Sequence, residues 1–269
     1  MAGEIDLLRI EESFITIQSN RLAMRWIYGR KHRTSPVLVF LHEGLGSIRM
    51  WRDIPEQLCT ETGLTGVVYD RRGHGNSDPL PQHRTPGYLH EEALKYLPLF
   101  LEKNAIDKPL FIGHSDGGSI ALLYTAHFPE KTVGVISEAA HVFLEDISIT
   151  GIENAVEMYE SGSLKKSLTK YHSDKTDAVF YGWAHTWLSP EFRDWNIVNE
   201  LKSITAPSLI IQGTEDEYGT EKQVDAIVNN VSGESEKFMI PGCGHVPHFQ
   251  ARDLVTAKMI EFIHTLNVE

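Results

Sequence analysis

The sequence predicts an α/β fold: a largely parallel sheet covered by helices on both faces, with one helical insertion. Three observations lead there. Short apolar runs alternate with stretches of helical spacing along most of the chain. The alternation stops between residues 141 and 201 and then resumes. A glycine-flanked serine, Gly113-His114-Ser115-Asp116-Gly117, stands between one such run and one such helix.

Residues 13–28 alternate in polarity, with Asn20-Arg21 as the central turn, so they read as an opening hairpin. Residues 37–41 (Val-Leu-Val-Phe-Leu) are continuously apolar, as in a strand buried on both faces. Trp51, Ile54 and Leu58 predict a helix over 51–62, and 66–69 a second buried strand. A helix follows at 91–102, a strand at 110–113, a helix at 119–128 stopped by Pro129, and a strand at 133–136. Residues 141–201 hold helical patches rich in Tyr, Phe and Trp, as expected of a helical cap inserted after a strand. The alternation then returns: strand 208–212, helix 221–229, strand 237–240, helix 254–266. There is no internal repeat and no low-complexity stretch.

The totals narrow the function. A length of 269 residues suits one large domain or one domain with an insertion. The formal charge of −12 argues against nucleic-acid binding, which needs clustered cations, and against an anionic membrane surface. The two cysteines, Cys59 and Cys243, make no disulfide framework, so a reducing compartment fits. Met1-Ala-Gly-Glu-Ile-Asp6 lacks the basic and apolar regions of a signal peptide. No apolar run is long enough to span a bilayer. A cytoplasmic protein acting on a small molecule, as a monomer or homodimer, is expected.

The chemistry centres on Ser115. A serine on a tight strand-to-helix turn projects its Oγ above the sheet, and flanking glycines remove β-carbons that would clash there. The helix behind it offers N–H groups to a developing oxyanion. A serine nucleophile needs a base. Of thirteen histidines, His245 stands in the glycine-containing loop after the last strand-like run, where it can reach the elbow; His248 is the nearest rival. The pair His245/His248 lacks a third ligand, so no metal is expected. An orienting carboxylate is expected after strand 208–212, where Glu215, Asp216 and Glu217 are adjacent. On the residues alone all three stay open, with Asp216 favoured. Gly44-x-Gly46 lacks the third glycine of a dinucleotide fingerprint, and Arg49 stands in its place.

With these residues in view, nearly the whole chain resembles a cap-bearing serine hydrolase of the α/β-hydrolase superfamily. Gly213-Thr-Glu-Asp216 is similar to the superfamily's Gly-x-x-Asp, which implies Asp216 as the acid. Asp70-Arg-Arg-Gly-His-Gly-Asn-Ser77 is similar to its structural D-x-R-G-x-G-x-S loop. The resemblance implies an eight-stranded sheet, a core of residues 1–140 and 202–269, a lid at 141–201 after strand six, and no cofactor. It also implies an oxyanion hole after the third strand. The segment His42-Glu43-Gly44-Leu45-Gly46 departs from the usual His-Gly, however. Alignment on the glycine makes Leu45 the donor, alignment on His42 makes it Gly44; Leu45 is preferred, with the Asp116 N–H as partner.

The expected reaction is hydrolysis of a carboxylic ester, thioester or lactone of modest size through a Ser115–His245–Asp216 triad and an acyl-enzyme. The alternatives are cleavage of a carbon–carbon bond in a diketone, cofactor-free perhydrolysis, or ligand binding without catalysis. Substrate contacts are expected from Glu43, His141, Trp183 and Trp187. The Asp116 carboxylate is open to two readings, a substrate contact or a structural hydrogen bond.

Overall fold

The computed structural model describes residues 8–30, 36–80 and 84–266; the leader-free N-terminal reading at residues 1–6 lies outside them. Eight strands form one sheet: β1 Arg9–Ile17, β2 Asn20–Tyr28, β3 Val37–Leu41, β4 Gly66–Tyr69, β5 Pro109–His114, β6 Gly134–Glu138, β7 Ser208–Gly213 and β8 Ser235–Ile240. Their order is β1-β2-β4-β3-β5-β6-β7-β8. The β1–β2 and β2–β4 pairs are antiparallel and the others parallel.

The apolar runs are explained by burial on both faces. In β3, Val37, Val39 and Leu41 enter one hydrophobic cluster, while Leu38 and Phe40 enter the other. Helices α1 (Ile54–Thr62) and α10 (Arg252–Thr265) pack against the second cluster. The first is covered by a helical stretch made of α2 (Tyr88–Glu91), a π-helical turn Glu92–Tyr96 and α3 (Leu97–Lys103), by α4 (Asp116–His127), and by α8 (Glu221–Val228). Pro98, which carries no N–H, lies just after the π turn. Between β6 and β7 run α5 (Asp146–Glu160), α6 (Ser163–His172) and α7 (Thr176–Trp187). Their apolar residues, among them Ile152, Tyr159, Leu168 and Phe180, continue the first cluster. Most of the aromatics expected there serve this packing: the Tyr159 and Phe180 rings stack 3.7 Å apart, and Trp187, Phe192 and Trp195 pack together. A short helix α9 (Pro247–Gln250) precedes α10.

Three expectations shift. The hairpin turn is Gln18-Ser19 rather than Asn20-Arg21, since Ile17 pairs with Asn20 and Gln18 takes φ 53°. Helix α4 starts at Asp116, three residues before the expected start. Gly117 and Gly118 disfavour a helix by propensity, but this corner has no room for side chains. Strand β6 runs on to Glu138 instead of ending at 136. Among the described residues, no helix is long and apolar enough to cross a membrane.

The cluster between sheet and helices sets the stability. Phe111, in central β5, is fully buried and meets Tyr124 of α4 edge-on at 5.0 Å. Phe111→Ala is expected to cost about 3–5 kcal/mol in urea unfolding. A cost under 1 kcal/mol would mean that this contact does not anchor α4.

Candidate active site

Ser115 lies between β5 and α4 at φ 52°, ψ −118°, a conformation that costs a residue with a β-carbon on the order of 1–3 kcal/mol. The surroundings hold it there. The Ser115 N–H donates to the Glu138 carbonyl at 2.8 Å, and its own carbonyl accepts the Ser119 N–H at 3.0 Å. A β-carbon on Gly117 would stand 1.9 Å from the Leu41 carbonyl oxygen, and one on Gly113 would stand 2.3 Å from the Gly117 oxygen. Both glycines are therefore set by backbone crossing backbone.

The structure brings Ser115, His245 and Asp216 into one hydrogen-bonded line. His245 Nε2 is 3.0 Å from Ser115 Oγ, and Nδ1 is 2.9 and 3.0 Å from the two Asp216 oxygens. Asp216 Oδ1 also accepts the Tyr218 N–H at 2.9 Å. All three residues are buried, and they come from the carboxyl ends of β5, β7 and β8. The adjacent carboxylates divide differently. Glu217 accepts the His245 backbone N–H at 3.1 Å, while Glu215 is exposed. Burial pushes the His245 pKa down more than any other single effect. The Asp216 charge and hydrogen bond, with Glu43 and Glu217 behind them, together outweigh it, so the imidazole sits above its ordinary 6.5. For Asp216, burial raises the pKa, but the His245 charge and hydrogen bond, the Tyr218 N–H and His141 together more than offset it, and the carboxyl lies below 3.8.

The loop after β3 is held by its carbonyls. Arg71 Nη2 donates to the His42 oxygen at 3.2 Å and to the Glu43 oxygen at 2.7 Å. His42 Nδ1 donates to the Glu43 oxygen at 2.7 Å, and His42 Nε2 accepts the Arg71 N–H at 3.0 Å. The Gly46 N–H closes a turn onto the same Glu43 oxygen at 3.1 Å. Gly44 carries no side chain because a β-carbon there would stand 2.5 Å from the Trp183 ring. Asp70 in the following loop accepts the Ile48 and Asn76 N–H groups, each at 2.7 Å, which is a bracing role.

Asp116 belongs to this bracing. Its Oδ2 accepts Tyr88 Oη at 2.7 Å and lies 3.5 Å from Arg71 Nη2, and the residue is 1% exposed. It does not line the cavity above Ser115, and its other oxygen, Oδ1, is buried without a partner among the described residues. Glu43, His141, Trp183 and Trp187 do line that cavity, with Ile152 and Tyr218. The cavity volume is about 60 Å³. His141 is anchored through Nε2 to the Tyr218 carbonyl at 3.0 Å, and its buried Nδ1 has no partner. Burial, reinforced by nearby His245, keeps the His141 pKa low. Glu43 also borders a second cavity of about 240 Å³, lined by Met50, Trp51, Tyr171, His248 and Phe249. Burial is the main reason the Glu43 carboxyl pKa is raised.

Sequence reasoning missed Glu138. Its carboxylate receives the His248 backbone N–H at 2.6 Å and His248 Nδ1 at 2.7 Å, while its carbonyl holds the Ser115 N–H. It thus ties the elbow to the segment that carries His245. The expected strand ended at 136, two residues short of it, so nothing in the sequence reading pointed to Glu138. Among the described residues, no group of three His, Cys, Asp or Glu side chains is arranged to hold a metal ion.

Comparison with known proteins gives a consistent picture. The model of the alpha/beta hydrolase family matches residues 38–257. The chain is 23% identical over 277 residues to a 2-hydroxy-6-oxo-6-phenylhexa-2,4-dienoate hydrolase of Burkholderia cepacia, covering 93% of this chain and 95% of that protein. It is 23% identical over 275 residues to a proline iminopeptidase of Lactobacillus acidophilus, covering 88% and 92%. Among solved structures, the enol-lactonase from Burkholderia xenovorans superposes with a TM-score of 0.74 at 17% identity, covering 94% and 100%. The proline iminopeptidase of Mycobacterium smegmatis gives 0.71 at 18%, covering 95% and 98%.

The pair His245–Asp216 has a pH signature. A His pKa raised on folding adds stability that is full below pH 6.5 and is lost as pH rises through the folded value. The lowered Asp216 pKa adds stability present above pH 3.8 and lost as pH falls through its folded value. In Asp216→Asn the burial of His245 loses its main opponent, so the imidazole titration followed by NMR is expected to move downward. An unmoved midpoint would assign the shift to Glu43 and Glu217 instead.

Proposed function

The chain belongs to the alpha/beta hydrolase family, and from that premise we propose that it is a serine hydrolase acting on a small carboxylic ester, thioester or lactone. The observation that carries the reading is the unbroken line Ser115–His245–Asp216 beside a cavity. Ser115 Oγ attacks the carbonyl carbon while His245 Nε2 takes its proton. Asp216 holds the ring and stabilises the imidazolium. The N–H groups of Leu45 and Asp116 receive the oxyanion, each contributing about 3 kcal/mol. Among the described residues the Leu45 amide has no hydrogen-bond partner, and the Asp116 amide opens α4. As the intermediate collapses, His245 returns the proton to the leaving oxygen or sulfur. The acyl-enzyme is then hydrolysed by a water that His245 deprotonates.

The cavity above Ser115, about 60 Å³, is far below the roughly 300–1,000 Å³ that encloses a drug-sized ligand. Residues 141–201 act as a lid over it, and Ile152, Trp183 and Trp187 limit the acyl group to a short chain. Glu43 and the free Nδ1 of His141 offer polar contacts to a hydroxyl or amine on the substrate. A second reading, cleavage of a carbon–carbon bond in a diketone, is favoured by the similarity to the phenylhexadienoate hydrolase over 93% of the chain. Product analysis on an ester and a ring-cleavage diketone separates the two.

Ser115→Ala is expected to lower turnover of p-nitrophenyl acetate by at least about 10⁴-fold with the fold intact by circular dichroism; full turnover would sink the mechanism. Across p-nitrophenyl esters, kcat/KM is expected to fall from acetate to octanoate. Ile152→Ala, which enlarges the cavity, is expected to flatten that fall, and an unchanged chain-length profile would remove Ile152 from the acyl site.

A further inference from the structure

We infer that His172, at the end of α6 in the insertion, is a positioning residue for the oxyanion loop, through its hydrogen bond to the Leu45 carbonyl. The inference rests on the proposed role of the Leu45 amide. His172 is fully buried, and its two ring nitrogens have different partners. Nδ1 accepts the Gly75 N–H at 3.0 Å. The ring proton therefore resides on Nε2, which donates to the Leu45 oxygen at 2.8 Å. Burial favours this neutral form by lowering the His172 pKa.

The remaining carbonyls of the loop face side chains of the sheet domain. Arg71 serves His42 and Glu43, and the Gly44 oxygen faces His74 Nε2 at 3.0 Å. The Gly44 carbonyl shares a peptide plane with the Leu45 N–H and points opposite to it. The Leu45 carbonyl belongs to the next plane, and that plane is the one an insertion side chain holds. With that second plane held, rotation of the Leu45 amide is restricted from its carbonyl side. The backbone supports a special role for this corner. Ser173, directly after His172, takes φ 54° and ψ −127°, a strained conformation for a residue with a β-carbon. Two residues on, Lys175 Nζ donates to the Ser77 carbonyl and, at 3.4 Å, to that of His74. The corner between α6 and α7 thus grips both loops that shape the hole. Docking of the insertion and completion of the oxyanion hole become one event.

Two variants of similar chemistry separate the two bonds. H172N keeps an acceptor near Nδ1 for the Gly75 N–H and cannot reach Leu45; H172Q places an N–H donor near Nε2. H172N is expected to lower kcat for p-nitrophenyl acetate by about 10- to 100-fold, with KM unchanged within about twofold. It is expected to slow fluorophosphonate labelling of Ser115 by a similar factor. H172Q is expected to stay within about threefold of the unsubstituted protein in both assays. Equal kinetics for the two variants, or a loss that tracks a drop in Tm, overturns the inference. Should H172N not fold, H172F, which keeps the ring volume and loses both bonds, is judged by the same criteria. If Ser115→Ala keeps full turnover, or the unsubstituted protein neither hydrolyses nor labels, the proposed function falls and the inference with it. If Ser115→Ala is inactive and H172N behaves as the unsubstituted protein, the inference alone falls.

Discussion

One backbone crossing governs the geometry. The start of α4 passes the end of β3 so closely that Gly117 has room for no side chain beside the Leu41 carbonyl. That approach sets the corner on which Ser115 takes its positive φ, and it places the segment after β3 next to the first amide of α4. Parallel strands bring the other pieces to the same edge. Glu138 ends β6, Asp216 follows β7 and His245 follows β8. A ligand above that edge meets groups as far apart in sequence as Glu43 and His245.

Charge is concentrated there as well. Glu43, Asp216 and Glu217 all act on His245, and their sum overcomes a burial that acts to lower the pKa of the ring. The loop after β3 is held in turn by a buried cation. Arg71 is 1% exposed and gives hydrogen bonds to two loop carbonyls, with Asp116 at 3.5 Å as its nearest carboxylate. Burying a guanidinium is costly unless it is well paired. Here two of its nitrogens lack partners, so its place reflects a constraint on the loop more than a gain in stability.

Much of this was legible in the sequence, for physical reasons. A five-residue apolar run such as Val37–Leu41 is too short for a helix and fits a strand with both faces covered, and the glycines around Ser115 fit a crowded corner. The position of His245 after the last strand was enough to nominate it among thirteen histidines. Asp216 needed the superfamily's spacing, because Glu215 and Glu217 are chemically equivalent to it until burial is known. The hidden parts were those made by distant pairs. Nothing local to Glu138 announces His248, and nothing local to His172 announces Leu45. The turn at Gln18-Ser19 was missed because neither residue carries the usual preference for a positive φ.

The bond between His172 and the Leu45 carbonyl has a consequence for the working cycle. A hydrogen bond of 2.8 Å does not survive a displacement of much more than about half an ångström to one ångström. Any movement of α6 by that much therefore also releases the Leu45 carbonyl. If the Leu45 amide serves Ser115 as proposed, a molecule wired in this way would be an interlock: with the door open the chemistry would be idle, and stray water meeting an exposed serine would find no finished machinery to use.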